Sequence, residues 1–247
     1  MPRIISWPAL ALVCVYLLGG RASAQVPDTF TNLQSLPKTI SRQDLTNIMR
    51  GYAFSLGTRC EHCHAASKTP GKLDFASDEK PAKATARTMI RMTEEINHKY
   101  VAALSPPSAV ECVTCHRGST DPKTLQALLS DTIEKNGLAS AVTQYRDLRK
   151  ENYGNGRYDF SETAINILSE SLLKQGKAKE AAGMMELNAE ANNPLSRWGY
   201  GVLAMSHQAN KETEKAELDF EKILALDPKD EWARGQLKSL RAAHTQP

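Results

Sequence analysis

Two pentapeptides, Cys60-Glu61-His62-Cys63-His64 and Cys112-Val113-Thr114-Cys115-His116, constrain this 247-residue chain more than anything else in it. Two thiols three positions apart, with an imidazole directly after the second, form the attachment pattern of a c-type haem. The thiols can form thioethers to the two vinyl groups of one porphyrin, and the next residue then lies under the ring with an imidazole nitrogen facing the iron. The sequence therefore predicts two covalently bound haem c groups. Their anchors are Cys60, Cys63, Cys112 and Cys115, and their proximal iron ligands are His64 and His116.

The competing chemistries fit less well. A zinc ribbon holds its cysteine pairs about 15 to 20 residues apart and has no need of either trailing histidine, whereas Cys63 and Cys112 are much further separated. A thioredoxin-type dithiol needs one pair beside a strand-helix pattern, and no alternating strand of any length is legible here. The fifth cysteine, Cys14, lies in an N-terminal segment where Arg3 precedes an apolar run from Ala9 to Leu18, then Gly19, Gly20 and Ala22-Ser23-Ala24. That segment, residues 1–24, reads as a secretory signal peptide, too short for a membrane span. Its removal leaves no cysteine for a disulfide. A periplasmic location follows, with membrane association if the segment is retained as an anchor. Export agrees with the haem motifs, because covalent haem is attached outside the cytoplasmic membrane.

The formal charge of +3 includes Arg3 and Arg21, so no nucleic-acid partner is implied. Hydrophobic residues make up 41% and aromatics only 6%, with abundant Ala, Leu, Glu and Lys, which predicts an all-α protein. Two domains are expected: a dihaem domain over residues 25–120 and a helical array over residues 121–247. In the first, Ser41 caps a helix on which Leu45, Ile48, Met49, Tyr52, Ala53 and Leu56 form one face until Gly57. Met49 precedes Cys60 on that face and is a candidate distal ligand to the first iron. A second helix is predicted from Pro81 to Leu104, with Ala86, Met89, Ile90, Ile96, Tyr100 and Val101 as its stripe. Periodicity alone does not choose between Met89 and Met92 as the other distal ligand. His98 falls off the stripe, and His62, His207 and His244 are poorly placed to ligate.

Leu45-Thr46-Asn47-Ile48-Met49, Ser55 through His64, Ala86 through Thr93 with Ile96-Asn97, and Cys112 through Gly118, taken in order, resemble the photosynthetic reaction centre cytochrome c subunit family. The likeness covers roughly residues 38–120. In that family the axial methionine precedes its haem motif on a helix, and the resemblance implies Met49 and Met89. Familiar members carry four haems, whereas two motifs stand here, and a loop histidine that ligates another haem in the family is Ala103 in this chain. The fold and the acceptor implied are those of a cytochrome serving a membrane electron-transfer complex.

Beyond residue 121 the motif signal gives way to a repeat. Gly176 through Ala181, closed by Asn193-Pro194, is echoed by Glu214-Lys215-Ala216-Glu217, Phe220 and Leu226-Asp227-Pro228. Ala181 and Ala216 are thirty-five positions apart, near the tetratricopeptide period, so this region resembles a short TPR array with its own protein partner. The chain as a whole reads as an electron carrier with redox partner proteins rather than an enzyme. The alternatives are a dihaem peroxidase, which needs one iron with a displaceable ligand, and a TPR scaffold with an accessory haem domain.

Overall fold

The computed structural model describes residues 27, 29–106 and 108–244, so the signal-peptide segment 1–24 and Cys14 lie outside the described residues. The protein is all-α: among the described residues ten α-helices carry the fold, with one short antiparallel strand pair. It divides into two compact units that meet between Cys112 and Val113, within the second cysteine motif.

In the first unit, local signals set the helix ends. Helix α1 (Arg42–Leu56) starts where the Ser41 hydroxyl accepts from the Asp44 amide and stops where Gly57 turns left-handed at φ 61°. After the first motif, strands β1 (Ala65–Ala66) and β2 (Leu73–Asp74) pair antiparallel. At two residues each they are too short to leave the alternation that sequence reading looks for. Helix α2 (Pro81–Ile96) has Pro81 in its first turn, as predicted, but is shorter than predicted. From Asn97 to Val101 the chain takes a π-type turn, and the Asn97 side chain donates to the Val110 carbonyl at 2.8 Å and accepts from the Val110 amide at 2.7 Å. The wider turn shifts the phase of the stripe, so Val101 is buried while Tyr100 is exposed.

This unit has well-formed helices and little interior. Among its described residues the buried apolar side chains are Leu45, Ala65 and Val101. Helices α1 and α2 hardly touch one another.

In the second unit, α4 (Leu125–Asn136) packs on α5 (Leu138–Asn152), α6 (Glu162–Lys174) on α7 (Ala178–Ala191), and α8 (Arg197–Ala209) on α9 (Thr213–Leu226). Helix α10 (Glu231–His244) covers α9, and α6 and α7 pack on the pairs before and after them. Ala141, Ala181 and Ala216 occupy the same place, the fourth residue, in the second helix of each pair, and all are fully buried. A methyl group there lets neighbouring helices approach closely. The core runs through Leu129, Tyr145, Ile165, Met184 and Met185, and a second cluster gathers around Phe220 and Ile223.

Phe220 is fully buried, with its ring edge-on to Trp232 at 5.4 Å between centroids. Phe220→Ala is expected to cost the second unit about 3–5 kcal/mol, seen in urea unfolding as a lower midpoint with an unchanged slope.

Candidate functional site

The first motif is one tight turn. Helix α1 ends at Gly57, Arg59 is extended, and Cys60–His62 coils so that the amides of Cys63 and His64 both donate to the Cys60 carbonyl, at 3.2 and 3.0 Å. Residues three apart on such a turn lie on the same side, which brings the Cys60 and Cys63 thiols together. Cys60 is exposed and Cys63 half-buried; burial, then the neighbouring Cys60, pushes the Cys63 thiol up, against the pull of Lys83.

His64 follows, half-buried, and its ring meets Phe75 edge-on at 4.9 Å. Phe75 arrives there because β2 pairs back on β1 directly after the motif. Burial holds His64 below the ordinary histidine range, Lys83 and Arg87 add to that, and the Phe75 carbonyl opposes it. Its Nδ1 is buried and makes no hydrogen bond of standard geometry. The Phe75 carbonyl, although near enough to act on the ring, already accepts from Lys83 Nζ at 2.9 Å.

The second motif is the short helix α3 (Cys112–His116), again with its cysteines three apart; Cys112 is half-buried and Cys115 exposed. Arg117 and Gly118 then both take left-handed conformations, φ 46° and φ 80°, which folds the chain back on itself. The Ser119 carbonyl thereby reaches His116 Nδ1 at 2.8 Å. Donation from Nδ1–H fixes the tautomer that leaves the Nε2 lone pair for a metal. Ser119 escaped the sequence reading; the glycine just after the motif is the one signal that could have found it.

Met49 and Met89 are half-buried on α1 and α2, while Met92 is 41% exposed. On the Met49 face of α1, Tyr52 has its hydroxyl raised by burial, then by Cys112 and Glu94, so this face lies within electrostatic reach of Cys112 and of α2. His62 and His98 are exposed, and His207 is buried in the second unit against Asp219 at 2.7 Å.

The donors fit a haem on three counts. Each motif presents paired thiols and an imidazole on one turn. One imidazole has its far nitrogen anchored, and the other has it buried. The apolar faces of α1 and α2 also have almost no protein interior to cover them, which a porphyrin would supply.

A family model described as the photosynthetic reaction centre cytochrome C subunit matches residues 19–166, more than half of the chain. Cytochrome c-554 of Chloroflexus aurantiacus is 33% identical over 97 residues, 38% of this chain and 22% of that protein. The photosynthetic reaction center cytochrome c subunit of Rubrivivax gelatinosus is 33% identical over 64 residues, 26% of this chain and 15% of its own. The chain thus spans less than a quarter of the length of these relatives. Among solved structures, the first TPR of Spaghetti (RPAP3) bound to an HSP90 peptide covers 49% of this chain and 94% of its own at 16% identity; its TM-score of 0.35 is too low to carry an argument.

A first unit with so small an interior should not hold its fold without covalently bound haem. Produced without haem attachment, the chain is expected to be cut by trypsin throughout residues 27–112 while a helical fragment of the second unit persists, read by mass spectrometry of the digest. Protection of the first unit in the haem-free chain would count against this account.

Proposed function

Because the chain belongs to the photosynthetic reaction centre cytochrome c subunit family, in which haem c is covalently bound, we propose that each of its two motifs holds one haem and that the protein is an exported dihaem electron carrier. The observation that carries the reading is the pair of turns, Cys60–His64 and Cys112–His116, each presenting two thiols and one imidazole. When bound, haem supplies an iron centre that cycles between two oxidation states one electron apart.

The residues then divide the work. Cys60, Cys63, Cys112 and Cys115 anchor the porphyrins, and His64 and His116 offer imidazole nitrogens to the irons. Met49 and Met89 would offer thioethers from α1 and α2 as further iron ligands. The half-burial of Met89 against the exposure of Met92 supports that choice. A histidine and a methionine would hold each iron in coordination positions that need not change, which would favour electron exchange without ligand exchange and raise the potential. A peroxidase would need one such position to be displaceable.

Residues 1–24 serve export in this reading, and among the described residues no helix is long and apolar enough to cross a membrane. The electron partners are redox proteins, with a membrane electron-transfer complex as acceptor. The stacked helical pairs of the second unit are a TPR-like docking platform for a protein partner.

The mature chain from a host competent in cytochrome c maturation is expected to carry two haem masses that survive denaturation. Met49→Ala and Met89→Ala should each lower the potential of one haem and admit cyanide to it, and Met92→Ala should do neither. One haem, or equal effects from Met92→Ala, would overturn the corresponding assignment.

A further inference from the structure

The first unit, which buries so few apolar side chains, does bury a lysine. Lys83 is 8% exposed, and its Nζ donates to three consecutive carbonyls, those of Phe75, Ala76 and Ser77, at 2.9, 3.1 and 2.7 Å. An ammonium has three hydrogens, so these bonds use its whole donor capacity. Lys83 is therefore a fixed charge, with no hydrogen left to bind a propionate. Arg87, one turn further along α2, donates to the Asn32 carbonyl at 3.2 Å and pairs with Asp78 at 2.9 Å. Asp78 also faces Lys83 at 3.2 Å and accepts from Asn32 at 2.9 Å.

The balance of this cluster is positive, and its two signs are unequally exposed. Two cations, with side chains 10% and 13% exposed, face one carboxylate that is 48% exposed. Water screens the carboxylate more than the cations, so the field on the protein side carries the cations' sign. The loop that Lys83 holds includes Phe75, whose ring lies against His64.

We propose that Lys83 and Arg87 act as tuning residues for the first haem, a caged cation pair that raises its reduction potential by disfavouring the more positive, oxidised iron. The inference rests on the assignment of His64 as a haem ligand. Neither side chain is a ligand in this reading; each would act through space, and Lys83 also holds the loop that seats Phe75 on His64.

Redox titration of the holoprotein tests this, with the first haem identified as the one lost when Cys60 and Cys63 are both replaced by alanine. Lys83→Gln should shift its midpoint down and Asp78→Asn should shift the same midpoint up, with the second haem unmoved in both. Opposite signs separate the field from mere loosening of the loop, which would move both variants in one direction. Unmoved midpoints, or shifts of one sign, overturn the inference. If Lys83→Gln does not accumulate, Asp78→Asn decides alone: a rise supports the inference, and no change or a fall overturns it. Denatured masses separate this from the parent reading, since a wild-type chain lacking the first haem overturns both, whereas two haems with unmoved potentials overturn only the tuning.

Discussion

Apolar surface without an interior to receive it is the constraint on which the first unit depends. Helix α1 is capped at both ends and spans fifteen residues, a length at which an isolated helix is marginal in water. Packing must therefore stabilise it, yet Leu45 is its one buried apolar side chain. Helix α2 is in the same position, since its one buried residue is Lys83. Two porphyrins attached through Cys60, Cys63, Cys112 and Cys115 would present flat apolar faces to these stripes, so one group would serve both as cofactor and as core.

The two imidazoles are held by different means, and the motifs are therefore chemically unequal despite their matching spacing. His116 is oriented by a hydrogen bond made possible by two consecutive left-handed residues. His64 is oriented by packing on Phe75, delivered by a two-residue strand pair and a loop gathered around the Lys83 ammonium. A bond to Nδ1 strengthens an imidazole as a ligand, while a nearby cation withdraws electrostatic support from a charged iron. Under the proposed dihaem reading, two such surroundings would set the two irons at different potentials.

The second unit needs no such help. Its helices bury Leu129, Ile165, Met184 and Phe220 against one another, and the small Ala141, Ala181 and Ala216 set the approach of each pair. Four of its buried polar side chains also pair with one another, Asn166 with Asn188 at 2.9 Å and His207 with Asp219 at 2.7 Å. Packing of each pair on its neighbours is the architecture of a solenoid, whose surface grows with the number of units stacked.

What the sequence determined by itself is what short-range chemistry controls. Thiol and imidazole spacing is written into five residues, the caps at Ser41 and Gly57 act within a turn, and Pro81 can open a helix whatever lies far from it. The paired repeats around Ala181 and Ala216 were legible because their interval is regular. The pair formed by α4 and α5 does not share that interval, because the loop before α6 lengthens the spacing from Ala141 to Ala181. Tertiary structure alone decided the burial of Lys83, the contact of Phe75 with His64, the reach of Ser119 to His116 and the early end of α2, where Asn97 binds Val110. Each of these depends on where the backbone brings a carbonyl, an amide or a ring after a turn, and a polar group removed from water must find its partner there. No local propensity encodes that partner.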